Sequence, residues 1–113
     1  MNNSYQGKFR SFFEEGLSLL ERKGNDYSEE EDRFSNFRVS EKVKVPAHVG
    51  AFIRLGDKYS RLTQLFGNKE SMVKEESIED TLIDLANYAN IVYQLYKEFL
   101  KKLDLKDGLE RDS

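Results

Sequence analysis

At 113 residues the chain fits one domain, long enough for a single core and too short for a separate catalytic domain and lid. It has no cysteine, which excludes disulfides, thiol catalysis and cysteine metal sites, and its one histidine, His48, argues against a His-based zinc site or a Ser–His triad. A net charge of -3 disfavours generic binding to a nucleic-acid backbone.

Eight Phe and six Tyr argue against disorder. No apolar run approaches the ~18 residues of a membrane helix. The polar opening Met1-Asn2-Asn3-Ser4 does not read as a signal peptide, so the cytoplasm is the expected compartment.

A single proline and seven glycines leave long stretches open to helix. The spacing of Phe9, Phe12, Phe13, Leu17 and Leu20 predicts a first helix from about Lys8 to Lys23, with Gly24-Asn25 as its stop. The segment from Asn25 to Val45 has no clear period. It carries the acidic run Glu29-Glu30-Glu31-Asp32 and the aromatics Tyr27, Phe34 and Phe37, and reads as an ordered loop with a short helix at most. Pro46 suits the first turn of a second helix reaching about Phe66, where Gly67-Asn68 ends it. Its apolar stripe is Phe52, Leu55, Tyr59, Leu62 and Phe66. A third helix starts at about Ser71 or Ser77 and runs to about Leu103 on the stripe Ile78, Leu82, Leu85, Ala89, Val92, Tyr96, Phe99 and Leu103. The polar tail 104–113 is expected to fray. One all-α helical bundle, with its core over about 8–103, is the expected architecture.

Charged stripes lie behind the apolar ones. On the third helix Glu76, Asp80 and Asp84 step by one turn, with Asn87 continuing the face. Ile83, Tyr88, Ile91 and Leu95 sit on or beside it, so this helix is apolar on two sides and is expected inside a bundle or at a subunit interface. Carboxylates so placed repel unless a cation or basic side chains neutralise them. Arg54, Asp57, Lys58 and Arg61 of the second helix could supply that charge if the two helices pack antiparallel. Carboxylates at one-turn spacing suit Mg²⁺, and Arg and Lys beside them suit phosphate oxygens. A purely structural reading stands beside this. Asp57 and Arg61 form an i,i+4 pair, Glu76 and Asp80 can bridge to Arg54 or Lys58, and Tyr27, Phe34 and Phe37 suit core packing as well as base stacking. His48 reads as a surface or capping residue rather than a catalytic base.

Four strings carry a family resemblance. They are Lys23-Gly24-Asn25-Asp26-Tyr27, Phe34-Ser35-Asn36-Phe37-Arg38, Arg54-Leu55-Gly56-Asp57-Lys58-Tyr59-Ser60-Arg61-Leu62 and the run from Glu76-Ser77-Ile78 through Asp80-Thr81 and Asp84 to Asn87-Tyr88-Ala89. Over roughly Lys23 to Tyr96 the chain resembles the nucleotide-modification-associated domain 1 family, found largely in phages. That family looks related to the all-α nucleoside triphosphate pyrophosphatases of the MazG and dimeric dUTPase type. The resemblance implies a MazG-like helical bundle, a homodimer or higher homo-oligomer, Mg²⁺ on helix-borne carboxylates, and cleavage of a nucleoside triphosphate to monophosphate and pyrophosphate. The sequence departs from the pattern in two places. Basic residues stand where the second helix should carry Glu-x-x-Glu, and Thr81 rather than Glu stands three residues before Asp84.

The leading expectation is therefore a nucleotide-binding, Mg²⁺-dependent nucleoside triphosphate pyrophosphohydrolase. Asp80 and Asp84 would be its catalytic residues, and Glu76, Asp80 and Asp84 its metal ligands. Arg54, Lys58 and Arg61 would hold phosphates, and Tyr27, Phe34 or Phe37 the base. Asn25 or Asn36 would read the base edge, with Asp26 and Asn87 completing the ligand contacts. One alternative is a non-catalytic phage protein that sequesters a nucleotide signal of host defence, because binding phosphates needs cations but no activated water. Another is a helical protein-interaction module.

Overall fold

The computed structural model describes residues 3–27, 34–67 and 74–112, with side chains over 5–22, 34–67 and 77–108. Three α-helices and one 3-10 helix account for nearly all of them: α1 (Asn3–Tyr27), the 3-10 helix Ser35–Val43, α2 (Ala47–Gly67) and α3 (Lys74–Asp112). No strand occurs among the described residues, so the expected all-α class holds.

The helices overrun the predicted ends. α1 starts five residues before Lys8 and continues through Gly24-Asn25 to Tyr27, because a glycine weakens a helix without forcing it to stop. α3 carries its helix through the polar segment beyond Leu103 to Asp112, where Lys and Glu are good helix formers even without an apolar stripe. At ~1.5 Å per residue its 39 residues span roughly 58 Å, nearly the whole 62 Å length of the molecule.

The segment without a period forms the 3-10 helix, within the short helix that was allowed for it. Lys44 closes it at φ 64, and the Lys44 and Val45 amides donate to the carbonyls of Glu41 and Ser40. Pro46 stands immediately before α2 rather than in its first turn, its carbonyl accepting from the Val49 and Gly50 amides.

α2 and α3 pack antiparallel. Lys58 meets Asp84, while His48, ten residues earlier on α2, meets Tyr96 and Phe99 further along α3. The core between them is built on Ala47, Ala51, Ile91 and Leu95, with Leu20 of α1, Phe34 and Phe37 of the 3-10 helix, and Tyr88 and Val92 packed around it. Two alanines at i and i+4 let the helix axes approach closely.

This core differs from the two predicted stripes. Phe52, Tyr59 and Phe66 of α2 are exposed while Leu62 of the same stripe is buried, and Leu82, Tyr96 and Leu103 of α3 keep 37%, 45% and 42% of their surface exposed. Ile91 and Leu95, expected beside the charged face and potentially against a partner, are 6% and 3% exposed within the single chain. A helix apolar on two sides does not declare which side its own chain covers, and the small residues that decided it, Ala47 and Ala51, add little to a hydrophobic period.

Among the described residues α1 packs mainly on α3. The Asn87 side-chain amide donates to the buried Gly16 carbonyl at 2.9 Å. A Cβ at Gly16 would sit 3.2 Å from Asn87 Oδ1, so the glycine admits this close crossing. Beside it a groove of about 460 Å³, lined mainly by Phe12, Phe13, Leu17 and Ile83, opens between the two helices.

Candidate functional site

Of the charged side chains on the facing sides of α2 and α3, Lys58 and Asp84 meet. Lys58 Nζ lies 3.3 Å from Asp84 Oδ2, and the two side chains are 30% and 24% exposed. Antiparallel packing sets these positions opposite each other, and Asp84 thereby gains the neutralising positive charge that its neighbours made necessary.

Aromatic rings frame the pair. Lys58 Nζ stands 5.8 Å from the Tyr88 ring centroid, one turn beyond Asp84 on α3. The Phe37 and Tyr88 rings meet edge-to-face with centroids at 5.9 Å, and the Arg54 guanidinium lies 5.7 Å from the Phe37 centroid. The result is a continuous path Arg54–Phe37–Tyr88–Lys58–Asp84 linking α2, the 3-10 helix and α3. Each cation over a ring is held by the negative face of the π system. Tyr88 is the member that periodicity undervalued, since it reads as one more apolar residue. Its position four residues after Asp84 was the available signal.

Other candidates fall around this path. Arg61 is exposed, one turn from Lys58 on the same face of α2, and Asn36 is exposed on the 3-10 helix beside Phe37. Phe34 is half-buried and packs on the core, which favours the structural reading for that ring. Asn87 commits its amide to Gly16 and so clamps α1 onto α3. Asn25, Asp26 and Tyr27 fall in the last turn of α1, but their side chains and that of Glu76 lie outside the described ones. His48 is half-buried and packs against Tyr96 and Phe99, with centroids at 5.3 and 4.8 Å, away from the Lys58–Asp84 pair.

Asp80 is exposed and stands one turn before Asp84. Thr81, three residues before Asp84, is 3% exposed, and its hydroxyl donates to the Ser77 carbonyl at 2.6 Å. The described donors do not fit Mg²⁺ as they stand. An ammonium occupies Asp84 Oδ2, whereas Mg²⁺ takes oxygen ligands at about 2.0–2.1 Å in octahedral geometry. Among the described residues no three Asp, Glu or His side chains converge on a cation position. Glu76, the third carboxylate of the expected set, is outside that comparison.

A second cross-link that sequence reading missed ties the 3-10 helix to α3. Arg38 Nη2 donates to both carboxylate oxygens of Glu98, at 3.2 and 3.1 Å, and Lys102 adds a further ion pair with Glu98 at 3.7 Å. Sixty residues separate Arg38 from Glu98, so no local spacing could reveal the pair. It fixes the segment that presents Phe37 and Asn36.

No described helix is long and apolar enough to cross a membrane. The chain matches no family model, no curated protein and no solved structure.

Proposed function

We propose that this chain binds a nucleotide, with its phosphates on the Arg54, Lys58 and Arg61 row of α2 and its base against Phe37 on the adjoining 3-10 helix. One observation carries the reading. Two cations on one helix face, Arg54 and Lys58, each lie over an aromatic ring, and the two rings touch. Cations that can leave a ring for a phosphate oxygen gain a charge-assisted hydrogen bond, and the ring they uncover can take a base. Asn36 beside Phe37 supplies an amide for the base edge.

In this reading the ligand is held rather than turned over. Support comes from the Lys58–Asp84 ion pair, which meets the charge of Asp84 with a protein cation. Sequestering a nucleotide signal of host defence, in the cytoplasm of a phage-infected host, is the role that fits such a binder. The working unit in this proposal is a homodimer or higher homo-oligomer.

A second reading is the Mg²⁺-dependent nucleoside triphosphate pyrophosphohydrolase of a MazG-like bundle. The one-turn spacing of Asp80 and Asp84 beside Lys58 favours it, with Glu76 as the further carboxylate.

One experiment separates the readings. A panel of common and cyclic nucleotides is titrated calorimetrically with and without Mg²⁺, and the ligand is then recovered and weighed by mass spectrometry. Binding with intact ligand supports the sequestering reading. Pyrophosphate release that requires Mg²⁺ and Asp84 supports the enzyme. With no binding to any nucleotide both fail, and a helical protein-interaction module remains.

A further inference from the structure

We propose that a second copy of this chain docks on the open apolar face that α2 and α3 form together, so that two antiparallel helix pairs close on each other. This assigns a surface to the homo-oligomer named above and does not depend on the nucleotide.

Phe52, Tyr59 and Phe66 are 59%, 62% and 61% exposed. At 100° per residue they fall, with His48, within about 40° of one another on α2. Leu82, Ala89 and Tyr96, all exposed, share a similarly narrow band on α3, with Ala89 also at the edge of the groove between α1 and α3. The His48 ring touches Tyr96, which places the two bands side by side. They therefore form one face, with no charged residue among these six positions. The two bands also belong to the apolar stripes that the sequence repeats at helical period, so the sequence specifies a packed face that the single chain leaves open.

The area points to the same partner. The chain exposes 9247 Å², where a compact monomer of its mass exposes roughly 6,400 Å². Its radius of gyration is 17.9 Å, against about 13 Å for a compact chain of this length. The excess surface, roughly 2,800 Å², is more than enough to supply the roughly 1,000–2,500 Å² that each partner of an obligate homodimer buries. A two-fold arrangement sets the patch against itself and needs no other protein.

Gly56 is an independent mark. It lies within α2 between Phe52 and Tyr59 on this same side, where glycine is the poorest helix former after proline. A Cβ there would meet nothing within 4 Å, so the single chain gives no reason for the glycine. A second helix approaching closely at that point does. Arg54 and Arg61 sit on the opposite side of α2, so docking leaves the cation row open.

Sedimentation equilibrium of the full chain over a concentration series tests the proposal. The expected result is a mass of about 26 kDa, twice the 13.2 kDa of one chain, at micromolar concentration. Tyr59→Glu should weaken association at least about a hundredfold, because it drives a charge into a desolvated apolar seam. Gly56→Leu should do the same by blocking close approach, while improving helix propensity, so circular dichroism should report a folded chain. Phe13→Glu, on α1 and 66% exposed, should leave the mass unchanged. A monomer throughout overturns both the assembly and this surface. Association that survives folded Gly56→Leu, or that Phe13→Glu abolishes, overturns the surface alone. Loss of nucleotide binding with the assembly intact counts only against the ligand reading.

Discussion

Lys58 and Asp84 come from helices whose charged faces are expected to converge if the helices pack antiparallel, and their 3.3 Å contact brings these two residues together in that arrangement. The contact lies between the two regimes known for ion pairs. Surface pairs contribute about 0.2–1 kcal/mol, and breaking a fully buried pair costs about 3–5 kcal/mol. With roughly a quarter of each side chain exposed, Asp84→Asn should destabilise the ligand-free chain by about 1–2 kcal/mol. A double-mutant cycle with Lys58→Met, read from urea melts, should return most of that loss as coupling between the two sites. A gain in stability would mean instead that repulsion from Asp80 dominates at Asp84.

The cation row carries the binding prediction. Arg54→Ala and Arg61→Ala should each lower affinity for a phosphorylated nucleotide by about ten- to a hundredfold, since a hydrogen bond to a charged group contributes about 1.5–3 kcal/mol. Arg54→Ala should also release Phe37 from its cation, so its loss should be the larger of the two. The melting temperatures of both ligand-free variants should stay close to that of the parent. An affinity unchanged in both variants would remove the row from the site.

Sequence periodicity located the helices and identified only part of the faces they turn inward: Leu62 and Val92 of the predicted stripes pack inside, while Phe52 and Tyr59 do not. The charged face of α3 carries Ile83, Ile91 and Leu95, and it is this side that the chain buries. Two observations explain the miss. Both sides of α3 are apolar, and the contact that selects one of them depends on Ala47 and Ala51, which score as small rather than hydrophobic. Long-range pairs such as Arg38–Glu98 leave no trace in local spacing. A consequence follows for mutagenesis. Ile91→Glu and Leu95→Glu place an unpaired carboxylate in the intrachain core, so they should unfold the protein, with losses above about 4 kcal/mol, rather than separate folded subunits. Circular dichroism at 25 °C would decide this by losing its helical signal.

His48 presents a buried polar atom. Its Nδ1 has no hydrogen-bond partner among the described residues, while its ring packs on Tyr96 and Phe99. Leaving such a group unsatisfied costs about 1–3 kcal/mol. His48→Phe keeps an aromatic ring and removes the polar atom, so it should raise stability by about 1 kcal/mol. A drop in the denaturation midpoint would show that the imidazole has a partner that the described residues lack.

Gly50 admits a close approach between α2 and Ser40 of the 3-10 helix. A Cβ there would lie 2.7 Å from Ser40 Oγ and 3.0 Å from Ser40 Cβ, distances that require something to move. Ser40 has little room to give way. Its hydroxyl lies within hydrogen-bonding distance of the carbonyls of Phe37, Val45 and Pro46, at 3.3, 3.0 and 3.4 Å, which pins it against the turn. Alanine would normally favour a helix over glycine by about 1 kcal/mol. At this position overpacking, which costs about 1–3 kcal/mol, should outweigh that gain. Gly50→Ala is therefore expected to destabilise the chain by about 1–2 kcal/mol in urea melts. The strain falls on the 3-10 helix that presents Phe37, so nucleotide affinity should fall as well, although no residue of the cation row has changed. Relieving the clash tests the cause. Ser40→Gly in the Gly50→Ala background should recover part of the stability, even though it removes the hydroxyl and its hydrogen bonds. A double variant no more stable than Gly50→Ala alone would place the cost elsewhere than in this contact.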